Sequence, residues 1–178
     1  MTEGRITLDG TDIRDISQKK LRSVLGYVPQ KGVLFSGDIA SNIKFGGEDI
    51  NDEKMEEAAR IAQAVEFIES KPDGYHSPIS QGGTNVSGGQ KQRLSIARAI
   101  AKNPKVFLFD DSFSALDYKT DVVLRKALNE KIADAAVIIV AQRISTILHA
   151  DQIIVLDNGS IVGLGKHEEL LESCETYR

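Results

Sequence analysis

The stretch that decides the fold runs from Thr84-Asn85-Val86-Ser87-Gly88-Gly89-Gln90 through Val106-Phe107-Leu108-Phe109-Asp110-Asp111 to Asp117. Between those fixed points apolar residues recur at helical spacing, with Leu94, Ala97 and Ala101 on one line and Ile96 and Ile100 on the next. Ser87 is a natural cap for such a helix, and the two glycines after it let a ligand approach the backbone closely. A helix starting there points its positive end and unpaired N–H groups outward, which favours an anion such as phosphate. Asn103-Pro104-Lys105 then breaks the helix. The wholly apolar run that follows reads as a strand buried on both faces of a mostly parallel sheet. Ligands of such sheets gather at the carboxyl ends of the strands, where Asp110 and Asp111 would stand.

Composition bounds the reading. At 178 residues the chain is long enough for one domain with a proper core, and 41% apolar with 27% charged residues is ordinary for a globular protein. A net charge of -4 with scattered Lys and Arg leaves no basic stripe, so nucleic acid is not an expected partner. The single Cys174 excludes an internal disulfide, fits a reducing compartment and reads as a small, semi-buried residue. The longest apolar run, Ala135 to Ala141, is far short of a membrane span, and nothing at the N-terminus reads as a signal peptide. Read alone, the chain is expected to be soluble and cytosolic.

Taken in order, Gly4 to Gly10 is an alternating strand closed by an Asp-Gly turn, which Thr11 to Asp15 continues. Leu25 to Gln30 is a further strand. Asn51 to Lys71 reads as a helical stretch, with Asp52 and Glu53 in its first turn and Met55, Ala58, Ala59 and Ala62 as a core stripe. Pro72-Asp73-Gly74 ends it, and Ser77 to Asn85 is a glycine-bearing loop. Lys119 to Lys131 is another helix, with Val122, Val123, Ala127 and Leu128 apolar, and Ala135 to Ala141 a second buried strand. Gln152 to Leu156 and Ser160 to Gly163 form a hairpin about Asn158-Gly159, and Gly165 to Leu171 closes the chain with a short helix.

Together, in this order and spacing, these pieces resemble the nucleotide-binding domain of ATP-binding cassette (ABC) proteins. Ser87-Gly88-Gly89-Gln90 resembles the signature motif, Phe107 to Asp110 the Walker B strand, Ser114 to Asp117 the D-loop and Gln30 the Q-loop glutamine. Val33 to Ile43 is similar to the exporter branch, in which this loop meets coupling helices of the membrane domain. The resemblance implies an α/β fold: a P-loop NTPase-like cassette core, mostly parallel sheet, with an inserted helical subdomain over about residues 43–102. Residues 1–42 and 103–178 would supply the core sheet and its helices. It also implies ATP and Mg2+ as cofactors. Asp110 and Gln30 would hold the metal, with Gln30 also reaching the attacking water; Ser87 to Gln90 would bind nucleotide across a dimer, and Asp117 would communicate between sites.

Four departures from the family pattern shape the functional expectation. No Gly-x-x-x-x-Gly-Lys-Ser/Thr loop occurs, so the chain is expected to be the C-terminal part of one nucleotide-binding domain, inactive by itself. The general base after the Walker B aspartate is normally glutamate; here it is Asp111, one methylene shorter. In-line attack depends on placement, and about 1 Å of error can cost roughly a hundredfold. The switch histidine is replaced by Gln142, which can hydrogen-bond a phosphate but cannot become cationic. His149 lies too far along to substitute and is expected in a short helix. The loop glutamate before the signature has Gln81 as its nearest counterpart.

An intact signature beside two altered catalytic positions, Asp111 and Gln142, implies the degenerate half of a heterodimeric exporter. Its partners would be a second cassette carrying glutamate and histidine, and transmembrane domains, at the cytoplasmic face of the membrane. The alternatives are a slow homodimer that tolerates both changes, an ABC protein acting on DNA or ribosomes, and a soluble regulatory or interaction protein of the same fold. The acidic balance and the exporter-like segment weigh against the DNA and ribosome reading. The soluble regulatory reading leaves Gln30, Asp110 and Asp117 without a task.

Overall fold

The structure, a computed structural model, describes residues 4–132 and 134–178. The chain divides into two compact units, residues 1–140 and 141–178. The first unit opens with a hairpin in which β1 (Thr7–Leu8) pairs antiparallel with β2 (Thr11–Asp12). Asp9 and Gly10 are both left-handed, at φ 48° and 80°, as a two-residue hairpin turn requires. Thr11 therefore folds back on Leu8 and does not extend the first strand, and Ile13–Asp15 is a 3-10 turn. Next come α1 (Gln18–Val24), capped by Ser17, and β3 (Leu25–Val28).

The chain then leaves the sheet. A short strand, β4 (Gly37–Asp38), leads into α2 (Ile39–Lys44), α3 (Asp52–Ile61) and α4 (Val65–Glu69). The single helical stretch expected over Asn51–Lys71 is broken, because Gln63 is left-handed at φ 56°. The break exposes the Gln63 carbonyl to the Arg93 guanidinium (2.7 Å), which itself lies 4.9 Å from the centre of the Phe67 ring. Met55, Ala58, Ala59 and Ala62 are buried, as the stripe predicts. Within the expected loop Ser77–Asn85, β5 (Pro78–Ile79) pairs antiparallel with β4, an element invisible to periodicity because each strand has two residues.

Helix α5 (Gly88–Ala101) occupies the centre of this unit. Its Leu94, Ile96 and Ala97 are completely buried, and it packs against β3, α2 and α3. After Asn103 (left-handed, φ 50°), β6 (Val106–Asp110) enters the sheet between parallel β3 and β7 (Ala136–Val140). Phe107 and Phe109 stack on the covered face, ring centres 5.8 Å apart. The expected two-sided burial holds for β6 only in part. The opposite face carries Tyr27, Ile138 and Val140, each more than half exposed, and β7 lies at the edge of the described three-stranded sheet.

Helix α6 (Tyr118–Lys131) faces the core with Leu124 and Leu128, whereas Val122 and Val123 are exposed. The second unit holds a 3-10 turn at Ile144–Thr146, the antiparallel pair β8 (Ile153–Asp157) and β9 (Ser160–Gly165), and α7 (His167–Ser173). Asn158 and Gly159 make the hairpin turn at φ 46° and 80°. Ile153, Leu170, Cys174 and Tyr177 form its core, so Cys174 is buried and free. No helix among the described residues is long and apolar enough to cross a membrane. The packing predicts that Leu94→Ala lowers stability by about 2–5 kcal/mol, and that Leu156→Ala, at a side chain 66% exposed, changes it by less than about 0.5 kcal/mol. Denaturant unfolding of both variants reads the difference.

Candidate functional site

Sheet register builds the first half of the site. Val28 of β3 lies beside Phe109 of β6, and two residues further along each chain stand Gln30 and Asp111. Gln30 Nε2 donates to Asp111 Oδ2 at 3.1 Å. Asp111 has left the strand and sits at φ 44°, a conformation that aspartate tolerates better than most side chains. Its backbone is held on both sides: its N–H donates to the Val140 carbonyl (2.8 Å), and its carbonyl accepts from the Ser114 hydroxyl (2.8 Å). The buried Ser112 hydroxyl ties the same turn to β3 through the Val28 carbonyl at 2.7 Å.

Asp110 occupies the last position of β6. Its Oδ2 accepts from the Tyr27 hydroxyl at 3.2 Å, on the less covered face of the sheet. Partial burial, reinforced by that bond to a carboxylate, pushes the Tyr27 phenol above its ordinary value. Among the described residues Asp110 Oδ1 is not engaged, and the Gln30 bond to Asp111 uses only the amide nitrogen. One free carboxylate oxygen and one amide carbonyl suit Mg2+, a hard cation that takes few protein ligands and completes its shell with water and phosphate. No group of three or more His, Cys, Asp or Glu able to hold a metal occurs among the described residues.

A second, separate candidate half-site is the start of α5. Ser87 Oγ accepts the Gln90 N–H (3.2 Å), and Gln90 Oε1 accepts the Ser87 N–H (3.0 Å), a reciprocal capping box. Among the described residues the Ser87 hydroxyl hydrogen has no acceptor, so it stays available to donate. The N–H groups of Gly88 and Gly89 precede the first i→i−4 bond, from Lys91 to Ser87, and have no acceptor among the described residues. A Cβ at Gly88 would meet nothing within 4 Å, so its own fold does not require glycine there. What glycine supplies is open access to donors, and a phosphate oxygen fits it. Gln90 thus has a structural role beside its predicted one.

The other predicted residues fall as follows. Asp117 caps α6, accepting the Thr120 N–H (3.0 Å) and hydroxyl (2.6 Å). Those bonds, with the Arg93 charge nearby, hold its carboxyl below the usual range. Gln142 lies in the second unit, exposed, two residues beyond the end of β7. His149 sits in a turn after the 3-10 segment, where a helix is expected. Gln81 Oε1 accepts the Ser36 N–H at 3.2 Å, so this residue is joined to the loop after Gln30. Sequence reasoning missed Tyr27, Gln92, Arg98 and Asn42. Each acts through a partner more than 50 positions away or inside an irregular loop, which no local period reveals.

Comparison with known proteins bears on the family and the fold. The family profile described as ABC transporter matches residues 1–114. An "Uncharacterized ABC transporter ATP-binding protein" of Mycobacterium tuberculosis is 46% identical over 180 residues, covering 99% of this chain and 31% of that protein. The "Mitochondrial potassium channel ATP-binding subunit" of Rattus norvegicus is 45% identical over 177 residues, covering 99% of this chain and 25% of that one. Among solved structures, a bacterial Atm1-family ABC exporter with ATP bound superposes with a TM-score of 0.95 at 39% identity, over 99% of this chain and 31% of that chain. The fold is that of an α/β nucleotide-binding cassette. The chain belongs to the ABC transporter family, and it spans about a third or less of the length of these relatives.

The Asp117 cap generates a pH prediction. A carboxyl whose folded pKa is depressed stabilises fully above its unfolded value, and that contribution is lost as pH falls through the folded value. Asp117→Ala should therefore destabilise the chain at pH 7, with the deficit narrowing once the pH drops below the ordinary value of 3.8. Thermal unfolding of both proteins from pH 7 to pH 2.5 checks it, and a deficit independent of pH would contradict it.

Proposed function

We propose that this chain is the ATP-binding and hydrolysis module of an ABC exporter and supplies the degenerate-site half of a heterodimer. The observation that carries the reading is the contrast between its two half-sites. The start of α5 presents Ser87, Gly88 and Gly89 with donors that meet no acceptor among the described residues. The acid that would serve as base, Asp111, is short and already bonded to Gln30.

In this reading Ser87 and the glycine N–H groups receive the γ-phosphate of ATP seated on a second cassette, with Gln90 holding the helix end in shape. Asp110 and the Gln30 carbonyl would hold Mg2+ in the chain's own site. When bound, Mg2+ neutralises charge on the phosphates. Asp111 would accept a proton from water, but its carboxylate reaches less far than glutamate and is shared with Gln30, which hinders its approach to that water. Gln142, at the switch position, can donate or accept a hydrogen bond without carrying positive charge. Asp117, through its place at the start of α6, would set the loop that faces the partner cassette.

Residues of about 43–102, containing α3 to α5, would be the helical subdomain, and the remaining residues the core. Val33, Phe35 and Phe45, exposed beside α2, would meet transmembrane domains, with the module at the cytoplasmic face of the membrane. The 178 residues alone would turn over ATP slowly or not at all, since their sequence has no phosphate-wrapping loop.

Paired variants of the full-length transporter test this. Ser87→Ala should lower ATP turnover on the order of tenfold or more, by removing a donor to the transferred phosphate. Asp111→Asn should lower it by less than about threefold, because little proton abstraction is assigned to that acid. Equal, near-total loss from both changes would contradict the asymmetric reading.

A further inference from the structure

The interior side of α5 carries polar groups to which nothing above gives a task. Gln92 is 1% exposed, a costly position for a primary amide unless both its ends are bonded. They are bonded. Its Oε1 accepts the Gly32 N–H at 2.9 Å, and its Nε2 donates to the Pro29 carbonyl at 3.1 Å. One side chain thus grips the backbone on both sides of Gln30. Gly32 itself rests directly on the helix: a Cβ there would lie 2.9 Å from the Lys91 carbonyl oxygen.

Further along the same helix, Arg98 does the equivalent for the next part of the loop. Its Nε donates to the Asn42 carbonyl (2.8 Å), one terminal nitrogen to the Val33 carbonyl (2.9 Å) and the other to Asn42 Oδ1 (3.0 Å). Asn42, 2% exposed, in turn accepts the Phe35 N–H and donates to the Phe35 and Asp38 carbonyls, each at 2.9 Å. The guanidinium lies 5.2 Å and 5.7 Å from the centres of the Phe35 and Phe45 rings. Apolar packing resists displacement but is non-directional and pairs no backbone groups of an irregular loop, whereas hydrogen bonds at separated points fix which groups of the loop meet the helix.

We propose that Gln92 and Arg98 are positioning residues that fasten the Pro29–Asn42 segment to α5, so that the helix presenting Ser87 and the loop presenting Gln30 and Phe35 move together. A displacement of the helix start then reaches the exposed Phe35–Phe45 surface without loss in between. What each end does rests on the proposed function; the fastening itself is a property of this chain and is measurable without nucleotide or partner.

Amide hydrogen exchange by NMR on the 178-residue chain reads it, in Gln92→Met (similar length, no hydrogen-bonding ends) and Arg98→Lys (charge kept, planar fork lost). Gln92→Met should speed exchange at the Gly32 amide roughly three- to tenfold, and Arg98→Lys should do the same at Phe35. The strand amides of Val28 and Phe109 should keep their rates in both. Unchanged rates at Gly32 and Phe35, or uniform acceleration at every amide, would overturn the proposal. Should one variant fail to fold, the other still decides its own end of the loop. A transporter indifferent to Ser87 would remove the proposed function and leave this exchange pattern standing.

Discussion

The burial of α5 is the constraint on which the rest of the first unit depends. Leu94, Ile96 and Ala97 are inaccessible, and β3, α2 and α3 close around them. A helix enclosed in that way has little freedom to rotate or slide, since interiors pack like crystals and resist small displacements. Its capped start therefore emerges at a fixed place and angle. The N–H groups of Gly88 and Gly89 are held in place by that packing, so a phosphate bound there, as proposed, would meet donors already oriented.

The same helix governs the loop that carries Gln30. Strand register alone would bring Gln30 near Asp111, because Val28 and Phe109 are neighbours in the sheet. Register does not fix what lies beyond the strand end. There the interior amide of Gln92 and the guanidinium of Arg98 take over, satisfying carbonyls and N–H groups of an irregular segment that would otherwise be left unpaired. The loop around Gln30, the start of α5 and the exposed aromatic pair are thus three outputs of one packed element.

Much of this was legible in the sequence, where a period or a cap announced it. Ser87, Leu94, Ala97 and Asn103-Pro104 located α5 and its ends, the Val106–Asp110 run located β6, and Asn158-Gly159 located the last hairpin. Family resemblance rested on the same residues, and the comparisons bear it out. The misreadings have physical causes. Gln63 turns left-handed inside a helical pattern because a tertiary partner, Arg93, takes its carbonyl. Val122 and Val123 look like core residues by composition, yet Leu124 and Leu128 hold the buried stripe. β7 reads as fully buried from its apolar run but stands at the edge of the described sheet. At the site, Asp110 and Asp111 were legible from the apolar run they end, and Gln30 from family resemblance. Tyr27, Gln92 and Arg98 were not, since each is defined only by what it touches across the fold.

The central proposal is that ATP hydrolysis is limited by the identity of two side chains of this chain, Asp111, one methylene short of glutamate, and Gln142, which cannot become cationic. It is tested most directly by steady-state ATP turnover of the full-length transporter carrying Asp111→Glu together with Gln142→His. The account predicts a rise of at least about fivefold, because a longer carboxylate and a proton-carrying imidazole supply what placement and chemistry lack. Turnover that stays level or falls, in a variant that still binds ATP, would contradict it.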